Sequence, residues 1–166
     1  MSNAWSILDK NEYRGHWAHF YAAFHFRASY YSDGWPGFVP PEPSITFDLS
    51  QIEEGPALAS SVDALNAEAL RCFVTALPES ERLLALDWQH ESFWFKPSEA
   101  ALAPTPGWQI SVYPDGDYYS FVTQDMSQGT FGHPWEKTLC VFGPDLVSTL
   151  GATLATWLPV LRRSGG

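Results

Sequence analysis

Cations, cysteines and long apolar runs are scarce in this sequence, and each scarcity removes a class of function. Lys+Arg number 9 against 19 acidic residues, a formal net charge of -10. That field repels phosphate backbones and anionic lipid headgroups, so nucleic acid and membrane surfaces are not expected partners. No apolar stretch approaches the ~20 residues needed to cross a bilayer, and the N-terminus has neither the basic nor the apolar region of a signal peptide. A cytoplasmic protein is the expectation. Its 2 cysteines, Cys72 and Cys140, stand far apart with no CxxC pair and no adjacent histidine. Neither a zinc site nor a disulfide framework follows, and both are expected in the core as small apolar groups. There is no GxSxG, Walker loop, GxGxxG or HExxH, so no cofactor is implied. His16 and His19 have a spacing that can place two imidazoles on one ion, but Trp17 and Phe20 interleave them, and no metal is predicted.

What is abundant is aromatic: 16% of the chain, with Trp 8, Phe 11 and Tyr 7. Burying such side chains offsets the entropy of ordering, so a folded core is expected, and 166 residues suit one domain rather than two. The predicted organisation is a single domain over 1–166. Residues 1–4 are read as a cloning remnant or disordered start, and 164–166 as a tail.

The pattern predicts an α+β fold. Asp9 followed by Glu12 has capping-box spacing, and Tyr13, Trp17, Phe20, Tyr21 and Phe24 then repeat with helical period. From Ser32 to Pro43, prolines and glycines predict an ordered loop around Trp35. Ile45, Phe47 and Leu49 alternate with polar residues as in a strand with one buried face. Val62 to Leu77 keeps helical spacing. Arg82–Trp88 and Ser92–Lys96 read as short central strands, with one helical turn around Ser98–Leu102. Trp108–Tyr113 and Tyr118–Thr123 flank Pro114-Asp-Gly-Asp117 and predict a hairpin. Thr130–Phe131 and Thr138–Phe142 would continue a β-meander. Pro144 opens a last helix whose stripe runs from Val147 to Leu161, with Pro159 kinking or ending it. The expectation is an antiparallel meander of about five to seven strands packed against about three amphipathic helices.

Two segments concentrate chemistry. Leu86-Asp87-Trp88-Gln89-His90-Glu91 ends an apolar strand with an acid, an indole donor, an amide and an imidazole. A carboxylate beside an imidazole fixes its tautomer and raises its basicity, which suits a general base, although Asp87 and His90 need not touch. The plainer alternative has Asp87 and Gln89 satisfying loop amides while His90 turns outward. Gly129-Thr-Phe-Gly-His133-Pro-Trp135-Glu136-Lys137 crowds His133, Trp135 and Glu136 into a turn, as either a recognition site or a rigid corner. With the meander as read, this turn and Asp115-Gly116-Asp117 lie at opposite ends of Tyr118–Thr123 and form separate sites. Catalytic candidates are therefore His90, Asp87, His133 and Glu136; binding candidates are Trp88, Gln89, Trp94, Trp135 and Trp35.

At Leu86-Asp-Trp-Gln-His90, Tyr113-Pro-Asp-Gly-Asp-Tyr-Tyr119 and Gly129 to Gly143 the chain resembles the bacterial domain of unknown function family 2716. The likeness extends to Trp5–Leu8, Pro43–Thr46 and Leu158–Arg162, and Gly132-His-Pro-Trp-Glu136 is its most specific block. It implies a small bacterial cytoplasmic domain and no activity. Phe131-Gly-His-Pro-Trp-Glu136 is also similar to segments of small acidic immunity proteins that neutralise toxins. Two functions are expected to compete: an acidic, immunity-like binding domain for a basic protein partner, and a small-molecule enzyme or ligand-binding domain with acid-base chemistry at His90 or His133.

Overall fold

The computed structural model describes residues 4–52 and 56–165. Most of the supposed remnant at residues 1–4 lies outside them. The capping box forms as its spacing predicts: Asp9 Oδ1 accepts the Glu12 amide at 2.8 Å, and Glu12 Oε1 accepts that of Asp9 at 3.0 Å. This starts α1 (Lys10–Phe24), which buries Trp17, Phe20 and Phe24. Before it runs a short strand, β1 (Trp5–Ile7). After it, a loop with a single 3-10 turn (Ser32–Gly34) leads to β2 (Ser44–Asp48). The loop is pinned where the Arg27 amide donates to the Gly37 carbonyl at 2.8 Å. Gly37 sits at φ +64, and a Cβ there would collide with the Arg27 carbonyl oxygen.

There follow α2 (Pro56–Ala76), β3 (Leu83–Asp87), β4 (Phe93–Phe95), a helical turn α3 (Pro97–Ala100), and then β5 (Tyr119–Val122), β6 (Gly129–His133) and β7 (Thr138–Phe142). The last helical stretch joins α4 (Pro144–Leu146), a π-helical turn Val147–Gly151 and α5 (Ala152–Leu154), and β8 (Val160–Ser164) closes the chain. All eight strands belong to one antiparallel sheet ordered β1-β4-β3-β5-β6-β7-β2-β8. The α+β expectation holds, and so does the meander at its centre, β5-β6-β7.

Helices cover both faces. Leu84, Leu86, Val122, Phe131 and Phe142 pack against α1 and the loop residues Phe26 and Phe38. Their neighbours Leu83, Ala85, Phe121, Leu139 and Val141 enter the opposite layer, beneath Leu65, Ala69 and Phe73 of α2 and Leu150 and Leu154 of the last helix. The period-2 alternation therefore distributes side chains between two cores rather than between core and water. Cys72 and Cys140 are buried, one in each layer, as expected.

Three details differ from the pattern. Trp108–Tyr113 is irregular: Asn66 of α2 accepts the Val112 amide at 2.8 Å, so a side chain takes the bond a partner strand would have supplied. Helical structure stops at Leu154 and Pro159 is followed by a strand; its carbonyl accepts the Asp48 amide at 2.9 Å, turning Leu161 out of the helical stripe and onto the sheet edge. Ser164, read as tail, pairs with Ser44.

Candidate functional site

The strand pairing gathers separated segments at one end of the sheet. Asp87, at the end of β3, lies opposite Tyr119 at the start of β5, and Tyr119 in turn lies opposite Gly132, one residue before His133. The turn before β5 and the turn after β6 thus share one end of the sheet. Opposite ends were expected; the expectation fails because β6 runs antiparallel to β5 and returns the chain to the place where β5 began. Gly132 assists, since a Cβ there would stand 2.8 Å from the ring of Pro114.

At this end His90 Nδ1 stands 3.1 Å from Asp87 Oδ1 and 3.2 Å from Asp117 Oδ2. Asp117 also accepts the Tyr118 amide through Oδ1 at 2.8 Å. One imidazole proton faces two carboxylates. Burial pushes both carboxyls above the usual range, with His90 opposing. The hydrogen bond to Asp87 raises His90, and the charges of Asp87 and Asp117 add to it. The arrangement favours the protonated ring. The His90 side chain is 64% exposed, at the rim of an open groove of about 700 Å3 that also includes Tyr13, Arg14, Gln89 and Ser92. Among the described residues, Asp87, His90 and Asp117 offer ligand atoms within 4.8 Å of one another, the geometry that could close on a cation. Asp117 was not singled out from the sequence; its turn was visible, but the partner strand that brings it to His90 was not.

His133 has a different environment. It is fully buried, ringed by Trp35 at 5.4 Å and Tyr118 at 4.9 Å between centroids. Its Nδ1 accepts the Glu136 amide at 3.0 Å, which places the proton of the neutral ring on Nε2, an atom with no hydrogen-bond partner among the described residues. Burial lowers its pKa to about 4. Such an imidazole is a corner post of the turn rather than a solvent-facing base. Glu136 points elsewhere, into a bidentate pair with Arg162 of β8 at 2.8 and 3.0 Å. Burial pushes the Glu136 carboxyl up, but hydrogen bonds from Arg162 and Thr138 outweigh it and hold it low.

The tryptophans divide likewise. Trp94 is buried under α1, its indole donating to Glu12 at 2.9 Å, with the Arg82 guanidinium 4.0 Å above the ring. Trp35 donates to the Ser29 carbonyl at 2.9 Å and Trp88 to the Tyr21 hydroxyl at 2.8 Å. Trp135 meets Tyr30 and Tyr118 edge-on at 4.3 and 5.1 Å. Tyr118 also contacts Trp88, so Tyr30, Trp135, Tyr118, Trp88 and Tyr21 form a chain of rings beside the Asp87-His90-Asp117 trio. Tyr30 and Tyr31 are 65% and 75% exposed. Neither was picked out from the sequence, because a tyrosine in a loop carries no sign of which strand end it will cover.

Residues 7–147 match a family described as Protein of unknown function (DUF2716). The chain is also 34% identical over 117 residues to "Uncharacterized protein YxiI" of Bacillus subtilis (strain 168), across 68% of this chain and 72% of that protein. No solved structure matches. Among the described residues no helix is long and apolar enough to cross a membrane.

Proposed function

Because the chain belongs to the DUF2716 family, whose description assigns no activity, we propose its function from its own surface: an immunity-like binding domain that grips a basic protein partner at the aromatic, acidic end of its sheet. The observation that carries this reading is the ring chain from Tyr30 through Trp135 and Tyr118 to Trp88, held beside Asp87 and Asp117. Tyrosine and tryptophan supply large contact area at small entropic cost, and rings already braced against each other lose little more on binding. Carboxylates next to ring faces suit arginine and lysine, and the net charge of -10 accelerates encounter with a cationic partner.

The test is affinity capture from bacterial extract, comparing the wild-type chain with Trp135→Ala and with the Asp87→Asn/Asp117→Asn double variant. The reading requires a basic protein retained in near-equal ratio by the wild type, lost from both variants, and released by salt. Retention that ignores all three substitutions would sink it.

A second reading has an observation of its own. His90 between two carboxylates at a groove rim is the arrangement of an orienter and a general base, and an acid-base enzyme acting on a small polar molecule would use it. Loss of turnover in His90→Gln, on any substrate that the wild type converts, separates this from binding alone.

A further inference from the structure

A cavity on the α1 face of the sheet has no member of the ring chain in its lining. It opens between the loop after Trp35 and β8, with a volume of about 280 Å3. That is roughly twice the ~150 Å3 of a dry cavity that admits benzene. One wall is Phe38 stacked on Phe131, 4.0 Å between centroids and 4° between planes. The floor is polar in a specific way. Alternation along β2 sends Ile45 and Phe47 into the α2 layer and leaves Ser44 and Thr46 on this face, one pleat apart. Thr46 engages the Cys140 thiol, and Thr138 donates to Glu136 at 2.7 Å. Ser44 also lines the cavity, and among the described residues no side-chain hydrogen bond engages its hydroxyl. A hydroxyl that faces a cavity can donate to an acceptor on a bound molecule.

Charge points the same way. Among the described residues, the two charged residues that line the cavity, Arg162 and Arg163, are both basic, in a chain where acids outnumber bases 19 to 9. Arg162 lies opposite Thr46 in the β2–β8 register and so shares this face of the sheet. Its pair with Glu136 uses one contact from each terminal nitrogen, which leaves further N–H donors on the planar fork. Arg163 lies opposite Ile45, so its side chain turns to the other face. Cys140, its thiol pushed to about 12 by burial, stays neutral and adds no negative charge.

We propose that this cavity binds a small, mainly apolar carboxylate, with its ring or chain against Phe38 and Phe131 and its carboxylate toward the Ser44 hydroxyl and Arg162. The site is independent of the protein-binding end proposed above, and the two can fail separately.

The test titrates the full chain with phenylacetate, 3-phenylpropionate and octanoate, each to about 5 mM, by calorimetry and amide NMR, beside the corresponding primary amides. The proposal expects saturable binding of at least one acid with Kd near or below about 1 mM, with shifts at Ser44, Phe131 and Cys140. It expects the amide to bind at least about fivefold more weakly, and Ser44→Ala to weaken the acid severalfold while its melting temperature stays at the wild-type value. Arg162→Met, which keeps the length of the side chain, serves as a second probe and should bind the acid more weakly than wild type too. No binding by any of the three acids, an amide that binds as well as its acid, or full affinity in both variants would overturn it.

Discussion

The Nδ1 atom of His133 accepts the backbone N–H of Glu136 at 3.0 Å, and this bond ties the side chain that ends β6 to the turn that starts β7. It needs a neutral imidazole. Burial has lowered the His133 pKa from 6.5 to about 4, so between those values the unfolded chain takes up a proton that the folded chain refuses. Stability is therefore intact above about pH 6.5 and falls as pH drops toward 4, by on the order of 3 kcal/mol from this group. Urea unfolding at pH 7 and pH 4.5 measures it. His133→Phe should cost stability at pH 7, and the gap between variant and wild type should narrow in acid; a constant gap would mean that His133 does not titrate with folding.

At His90 the sign is reversed. Its pKa is raised, chiefly by the hydrogen bond to Asp87, so the imidazolium form is favoured in the fold and its contribution is lost as pH rises through the raised value. NMR titration of the His90 ring should give a midpoint above 6.5 in the wild type. Asp87→Asn should lower it more than Asp117→Asn. His90→Ala should leave the melting temperature nearly unchanged, because the side chain is largely exposed.

Asn66 is 5% exposed and accepts from the Val112 amide at 2.8 Å and the Ser111 hydroxyl at 3.3 Å. Asn66→Leu should cost about 1–3 kcal/mol in chemical denaturation, because the Val112 amide would be buried without a partner. Amide exchange should then quicken along residues 108–117 before it does elsewhere.

Arg162→Met removes the guanidinium from Glu136 and keeps the length of the side chain. With Arg162 itself 40% exposed, solvent screening limits the loss to about 1–2 kcal/mol. The Glu136 carboxyl should move upward in a carbon-detected titration, since burial alone pushes it that way; a carboxyl that stays low would assign its shift to Thr138.

Local features were legible where local forces decide. The Asp9 and Glu12 capping box and the aromatic period of α1 needed only neighbouring residues. β3 and β7 were recognisable as short apolar runs. Ser44 and Thr46 read as water-facing positions, yet both are buried, because a loop from earlier in the chain covers that face. β8 followed an apolar stripe that looked helical, and only pairing with β2 makes it a strand.

The candidate site divides in the same way. Asp87 and His90 are close enough in sequence for their contact to be anticipated. Asp117 and Trp135 come to the same end of the sheet through β5 and β6, and their meeting depends on which strands pair, a choice made by the two buried layers rather than by either turn. His133 shows the converse: its neighbours in sequence suggested chemistry, and its burial makes it a structural support.

The place of β2 between β7 and β8 has a consequence for synthesis. Ser44–Asp48 is made well before both of its partners, Thr138–Phe142 and Val160–Ser164. Until they are made, residues 44–48 lack the partners that pair both of their edges in the fold. Long-range pairing of this kind slows folding and prolongs the exposure of unpaired edges. The nascent chain therefore reaches its fold only after its last strand has emerged, and a chaperone that shields residues 44–48 until then would raise the yield of native protein.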